Sequence, residues 1–441
     1  MARLNTAAAI PRIYTHEGAP AARINAEQQL RRVVMASMLW ENQFYIDGKT
    51  NAEIIAETVP RVDPETVAAI AIEAREKQKL RHVPLLLVRE LARRKDCEPG
   101  LVARTIERVI QRPDELAELL AIYWKDGRTP IAAQVKKGLA KAFRKFSAYQ
   151  LAKYDREGPI RLRDVLFMTH PKPKASEQAA TWKALVEKSL ESPDTWEVAI
   201  SAAKSEEEKR TEWTRLLAEN KLGALALLRN LRNLTQAGVD QPAIRRALAE
   251  MKTDRVLPFR FIAAARIMPN FEDALEPVML RCAESAAKLA GHTLLLVDVS
   301  GSMTAVISAK SDLTRIDAAC GVAMLLREAC ERATIVTFSD LAVIVPPRRG
   351  FALRDVIVRS QPHNCTYLGN AVKAAMGEIK DLDRVIVVTD EQSHDSVPNP
   401  IGRGYIVNVA AHRNGVGYGA WRHIDGWSEA CIDYIAASEA G

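Results

Sequence analysis

The chain has 441 residues, 48% of them hydrophobic and 27% charged, too long for one ordinary core and too apolar for disorder, so two or three globular domains are expected. No run reaches the roughly 18 apolar residues of a membrane span, and the Met1–Thr6 start leads into no apolar stretch of a secretory signal; a cytoplasmic, monomeric protein without membrane contact is expected. The formal charge of +7 is uneven: residues 291–441 carry 14 Lys and Arg against 17 Asp and Glu, whereas residues 125–174 alone carry 13 against 4.

So concentrated a cationic stretch points to a polyanion partner more strongly than a high isoelectric point does. Cys97, Cys282, Cys320, Cys330, Cys365 and Cys431 lack CxxC spacing, so neither a disulfide scaffold nor a zinc site is expected.

From about Glu27 to Leu289 apolar residues recur at three- and four-residue spacing. The pattern predicts helices that include Gln28–Trp40, Thr50–Thr58, Pro64–Lys77, Pro84–Arg94, Arg112–Trp124, Ile131–Phe146, Glu177–Leu190 and Thr211–Asn220. Asp63-Pro64-Glu65-Thr66 has the acid and proline of a helix N-terminus. Helix pairs stacked over some 260 residues form an α-solenoid more naturally than a bundle.

Near residue 290 the pattern changes. Thr293–Val297, Ala333–Thr337, Ala342–Val345, Arg384–Val388 and Tyr405–Val409 are short β-branched runs, with helical stretches at Asp317–Glu331, Leu368–Ile379 and Ser428–Ala437. Continuously apolar strands alternating with helices predict a mostly parallel sheet covered on both faces. The expected fold is multidomain: an all-α solenoid at residues 1–290, followed by an α/β, Rossmann-like domain at 291–441.

The loop Asp298-Val299-Ser300-Gly301-Ser302-Met303 follows the first of these strands, where open α/β sheets bind ligands. A DxSxS loop offers one carboxylate and two hydroxyls, hard oxygen donors suited to Mg²⁺, or to Mn²⁺ or Ca²⁺. Thr366, before the helix at Leu368, and Asp390, at the end of the strand Arg384–Val388, stand at comparable places. Asp298, Ser300, Ser302, Thr366 and Asp390 resemble, by type and order, the metal-ion-dependent adhesion site of von Willebrand A domains. No catalytic base accompanies them, the neighbouring His394-Asp395 reading as a solvated turn, so the protein is not expected to be an enzyme.

On a helical wheel Ile131–Phe146 places Ile131, Ala132, Val135, Leu139, Ala142, Phe143 and Phe146 on one side and Lys137, Lys141, Arg144 and Lys145 on the other, with Lys136 at the margin. No acid at i±4 neutralises the basic face. The cationic stretch continues to His170-Pro171-Lys172-Pro173-Lys174, a proline-restricted loop suited to phosphates. Tyr123, Trp124, Tyr149 and Tyr154 are candidates to stack bases, although helical spacing also suits a core role.

At this point the whole chain resembles the Ro autoantigen (Ro ribonucleoprotein) family, of the compact bacterial or phage type: a TROVE module followed by a von Willebrand A domain. The likeness rests on Thr15-His-Glu-Gly-Ala-Pro-Ala21, Leu39-Trp40-Glu41 with Phe44-Tyr45, and Lys136-Lys137-Gly138-Leu139. It continues through Leu151-Ala-Lys-Tyr154, the His170 loop, Ala226-Leu-Leu-Arg-Asn-Leu231 and Leu257-Pro258-Phe259 to the DxSxS loop and Ile424-Asp-Gly-Trp427.

The resemblance implies an all-α, HEAT-like solenoid or ring closed by the von Willebrand A domain, and an RNA-binding scaffold for RNA quality control. Its partners would be small non-coding, Y-like RNA and the single-stranded 3′ ends of defective RNAs, with an exoribonuclease as a further partner. Carried over by motif, the RNA contacts are Lys136, Lys137, Lys141, Arg144, Lys145, His170, Lys172, Lys174 and Arg229; Arg232, one helical step on, extends the set. An interhelical ion pair is the competing reading of Arg229. The alternative function is a metal-dependent protein-interaction module that captures acidic partner residues without RNA.

Overall fold

The computed structural model describes residues 13–15, 17–23, 25–36, 51–253, 256, 258–284, 287–307, 313–410, 414–416, 419–425 and 430–440. Of the motifs above, His16, Leu39–Glu41, Phe44–Tyr45, Leu257 and Gly426–Trp427 lie outside them. Two short strands, β1 (Ile13–Tyr14) and β2 (Pro20–Arg23), open the chain. The helices α1 (Ala26–Ala36), α2 (Asn51–Thr58), α3 (Pro64–Glu76), α4 (His82–Ala92), α5 (Leu101–Val109), α6 (Asp114–Tyr123), α7 (Ala133–Phe143), α8 (Ala148–Tyr154), α9 (Leu162–Thr169) and α10 (Ser176–Glu187) follow. The array continues with α11 (Trp196–Ala202), α12 (Glu206–Ala218), α13 (Ala224–Gln236), α14 (Gln241–Glu250), α15 (Pro258–Ile267) and α16 (Glu272–Glu284).

The helices start and stop where local chemistry directs. Asp63 caps α3 by accepting the Thr66 amide at 2.9 Å with Pro64 in the first turn, and Ser147 with Gln150 forms a capping box on α8. Packing runs in two layers: α3, α5, α7 and α9 in succession along one, α2, α4 and α6 along the other. The same alternation returns as α13, α15 and α12, α14, α16, the geometry of an α-solenoid. Gly138 lets α7 approach α5 closely, because a Cβ there would sit 2.7 Å from the Ile106 Cβ.

The α/β domain comprises β3 (Leu289–Asp298), α17 (Arg315–Ala329), β4 (Cys330–Phe338), β5 (Ala342–Ile344), α18 (Gly350–Val358), α19 (Leu368–Glu378), β6 (Arg384–Thr389), β7 (Arg403–Asn408), β8 (Asn414–Gly415), β9 (Trp421–Asp425) and α20 (Ala430–Ala440). Its six-stranded sheet has the order β5-β4-β3-β6-β7-β9, parallel except for β5. Successive β3 residues face opposite ways: Leu295 and Val297 enter a core with α17, Leu294 and Leu296 one with α19. Burial on both faces explains the unbroken apolar runs. Two details differ from the sequence reading. Cys330 and Glu331 begin β4 instead of ending α17, because Cys330 is extended and pairs with Leu289; and β9 and α18 add a sheet edge and a helix that the apolar runs did not mark.

The cores divide the chain unexpectedly. One holds Leu30 to Leu185; another runs from Trp213 through α13–α16 into α17 and on to Ile435. The change of pattern at residue 290 is thus a change of secondary structure within a continuous core. Both ends of the helical array also meet the α/β domain: α15 and α16 pack on α17, α1 packs on β9, and β2 pairs with β8. The path of helices therefore closes on itself through the sheet domain.

Candidate functional site

Asp298 ends β3 and Asp390 follows the adjacent parallel strand β6, so the fold delivers both carboxylates to one sheet end. Both are fully buried. Asp298 accepts the Ser300 amide at 2.9 Å and the Thr389 hydroxyl at 2.5 Å. The Ser300 and Ser302 hydroxyl oxygens lie 3.4 Å apart, and Ser302 also hydrogen-bonds Asp390. Thr366 sits in a loop docked on the DxSxS turn, where the Gly301 amide donates to the Asn364 carbonyl at 2.9 Å. The structure thus links Asp298, Ser300, Ser302 and Asp390 directly and brings the Thr366 loop over them.

Burial, and then the neighbouring Asp390 charge, push the Asp298 carboxyl up to about 7. Burial raises Asp390 as well, opposed by the Arg315 guanidinium, which bonds it at 3.1 Å, and by Ser302. Two neighbouring buried carboxylates, with an arginine paired to Asp390, gain from a further cation, and carboxylate and hydroxyl oxygens fit a hard divalent ion. Among the described residues no cluster of three or more His, Cys, Asp or Glu that could hold a metal occurs, so the candidate centre stands on two carboxylates and three hydroxyls.

Arg315, Thr389 and Glu391 escaped the sequence reading, although the last two flank Asp390 in sequence. Glu391 is fully buried at φ 61°, and its carboxylate meets Arg32 of α1 at 2.7 Å and His423 of β9 at 2.7 Å. Burial works to raise the Glu391 carboxyl, yet Arg32 and His423 hold it below its ordinary value. His394 and Asp395 are not a solvated turn. Asp395 caps α19 through the Gly369 and Asn370 amides at 2.8 and 2.7 Å, and His394 stacks obliquely on Tyr367 and pairs with Glu17.

The ten predicted RNA contacts divide. Lys136, Lys137, His170, Lys172 and Lys174 are exposed and have no acidic partner among the described residues. Gln178 draws part of this set together: its amide donates to the Arg144 carbonyl at 3.1 Å, and its oxygen accepts from the Lys174 amide at 2.9 Å. The loop after α9 is thereby seated at the end of α7. Lys141 and Lys145 have other engagements. Lys141 pairs with Glu107 of α5 at 3.2 Å, supplying the neutralisation that the helical wheel lacked. Lys145 donates to the Glu107 and Ile110 carbonyls at the end of α5, and burial draws its ammonium below the ordinary lysine value. Arg144 is half-buried, with its Nε enclosed.

Arg229 and Arg232 occupy exposed positions of α13, in the other core's half of the array. No ion pair claims Arg229 among the described residues; it lies near Arg260, whose guanidinium is lowered first by burial and then by Arg229. Of the aromatic candidates, Trp124 donates to the Thr129 carbonyl, Tyr123 bridges to Ala132, and Tyr154 lies under Arg112. Tyr149 is 53% exposed.

The Ro60 vWA domain family model matches residues 292–401, and the TROVE domain family model matches residues 187–305. The fold and these matches define a TROVE–von Willebrand A protein. The chain belongs to the Ro family, a family of RNA-binding proteins. Its fold is similar to the crystal structure of the Ro (RSR) protein of Deinococcus radiodurans, with a TM-score of 0.63 and 19% identity over 94% of this chain and 99% of that one. No curated protein matches the chain. Among the described residues no helix is long and apolar enough to cross a membrane.

Proposed function

We propose that this protein is a monomeric, cytoplasmic scaffold for RNA quality control that takes small Y-like RNA and the single-stranded 3′ ends of defective RNAs. The observation that carries the reading is the exposed set Lys136, Lys137, His170, Lys172 and Lys174, which has no acidic partner among the described residues. Cations with no acidic partner are available to phosphates, and each contact releases counterions. If these five groups engage a single strand, the logarithm of affinity falls against the logarithm of salt with a slope near −3.5, at about 0.7 per contact. Tyr149 offers a face for a base. The scaffold performs no turnover and hands RNA to a separate exoribonuclease.

Asp298, Ser300, Ser302, Thr366 and Asp390 would hold Mg²⁺, with Mn²⁺ or Ca²⁺ as substitutes, supplying positive charge to the buried carboxylates. A second reading, capture of an acidic partner side chain at this centre, draws support from Leu341. That residue is 69% exposed in the β4–β5 turn, beside the loop that carries Thr366. Salt-dependent gel shifts with a stem-loop RNA and a 3′-tailed duplex test the RNA reading. Affinity that ignores salt and survives Lys136→Ala/Lys137→Ala/Lys172→Ala overturns it in favour of the second.

A further inference from the structure

The helical array is fastened to the α/β domain at both ends within a few residues of the candidate metal centre. At the late end, Arg266 of α15 bonds both Asp317 carboxylate oxygens at 2.8 Å. Asp317 caps α17 through the Thr314 amide and hydroxyl, at 2.8 and 2.7 Å, and so orients the helix whose first residue, Arg315, bonds Asp390.

The early end is fastened by the segment 391–395. Arg32 meets Glu391, the Thr15 hydroxyl donates to the Ser393 carbonyl at 2.7 Å, and Glu17 pairs with His394 at 2.9 Å. Arg32 and Glu391 are 1% and 0% exposed, so this clasp is interior structure, not a surface contact. Ala19, between β1 and β2, is buried in the core beneath α19.

That segment also positions two of the candidate ligands. The Glu391 amide donates to the Thr389 hydroxyl at 3.1 Å, and this hydroxyl donates on to Asp298. The His394 amide and Ser393 hydroxyl donate to the Thr366 carbonyl at 2.9 and 3.2 Å. Glu391 holds the left-handed conformation, costly for a residue with a side chain, and persists because its carboxylate is held from both sides. Gly415 of β8 passes so close that any Cβ there would meet the Glu391 carboxylate.

We propose that these contacts make the metal centre the closing joint of the helical path, so that a divalent cation at the site and the clasp formed by Thr15, Glu17 and Arg32 stabilise one another. The proposal rests on the metal reading above. A cation that fixes Asp298, Thr366 and Asp390 fixes the segment 389–395, which is the seat of the clasp; release of the clasp frees that segment and loosens the ligands. Linkage makes the effect reciprocal and equal in both directions.

The test uses the full chain and Mg²⁺ itself. Hydrogen–deuterium exchange is followed over residues 13–36 with and without Mg²⁺, and Mg²⁺ affinity is measured by calorimetry on wild type, Arg32→Met, Thr15→Val and Asp298→Asn. The expected result is exchange slowed about fivefold or more by Mg²⁺ in wild type and unaltered in Asp298→Asn, with Mg²⁺ bound at least about fivefold more weakly by Arg32→Met. If Arg32→Met loses cooperative unfolding, Thr15→Val, which deletes only the hydroxyl's bonds to the Ser393 carbonyl and from the Ala19 amide, supplies the affinity comparison. Mg²⁺ binding of undiminished strength in the clasp variants, with unaltered exchange at 13–36, overturns the linkage and leaves the metal reading standing. Failure of wild type to bind Mg²⁺, Mn²⁺ or Ca²⁺ overturns both.

Discussion

The candidate metal centre and the basic surface are built from opposite materials. At the end of the sheet, Asp298, Ser300 and Asp390 are fully buried, and their carboxylates and amide link into a hydrogen-bonded set; every polar group there must be answered. On the helical half, Lys136, Lys137, Lys172 and Lys174 stand in water and are answered by no acidic group among the described residues. A buried site is defined by what its residues do for one another; an exposed one by what neighbouring residues leave unclaimed. Lys145 shows the difference: on the helical wheel it belongs with Lys137, yet the carbonyls that end α5 take its ammonium.

The contrast is broken most directly at Glu391. Glu391→Ala leaves Arg32 and His423 facing each other in the interior, and removing one member of a buried pair costs about 3–5 kcal/mol. Denaturant titration should show that loss; a change within experimental error would mean that the clasp contributes nothing to the fold.

A cation at the sheet end ranks next. Mg²⁺ at one hundred times its dissociation constant should stabilise the protein by about 2.7 kcal/mol, read as a rise in the unfolding midpoint. Asp298→Asn should abolish that rise while stabilising the metal-free protein at neutral pH and above, since it removes one of two facing buried charges. A midpoint that Mg²⁺ raises equally in Asp298→Asn would place the cation elsewhere. Smaller again, Gly138→Ala should cost about 1–3 kcal/mol by forcing α7 off α5; a neutral outcome would show that this helix contact yields.

These expectations follow the line between what the sequence disclosed and what it did not. The DxSxS loop, Thr366 and Asp390 were legible because each lies where an apolar strand or helix begins or ends, and strand ends in such sheets converge. The apolar face of Ile131–Phe146 was legible in its main part: Val135, Leu139, Ala142, Phe143 and Phe146 are buried, whereas Ile131 and Ala132, which precede the helix, are half-buried. Arg32 was not, because its partner Glu391 is 359 residues away and nothing local distinguishes an arginine that will be fully enclosed. Glu107 was invisible for the same reason: it reaches Lys141 across a helix–helix contact, which i±4 arithmetic on one helix does not sample. The single core that passes through residue 290 was hidden because composition records secondary structure, whereas cores form where faces meet.

The smallest effects on stability make the sharpest distinction between claimed and unclaimed cations. Lys145→Ala removes a charged donor from two carbonyls at the end of α5 and should cost about 1–2 kcal/mol, since hydrogen bonds from charged groups are worth more than neutral ones. It should leave the salt dependence of RNA binding as it was. Lys136→Ala/Lys137→Ala should do the reverse: stability within about 0.5 kcal/mol of wild type, as for surface positions without partners, and a log–log salt slope shallower by about 1.4 if both lysines meet phosphates of a single strand. Both quantities come from one pair of purified variants, by denaturant titration and by binding measured across a salt series. Should Lys145→Ala flatten the slope while the double variant leaves it intact, α5 would have been misassigned as the owner of that ammonium, and the face of α7 that meets RNA would lie a quarter turn or more from Lys136 and Lys137.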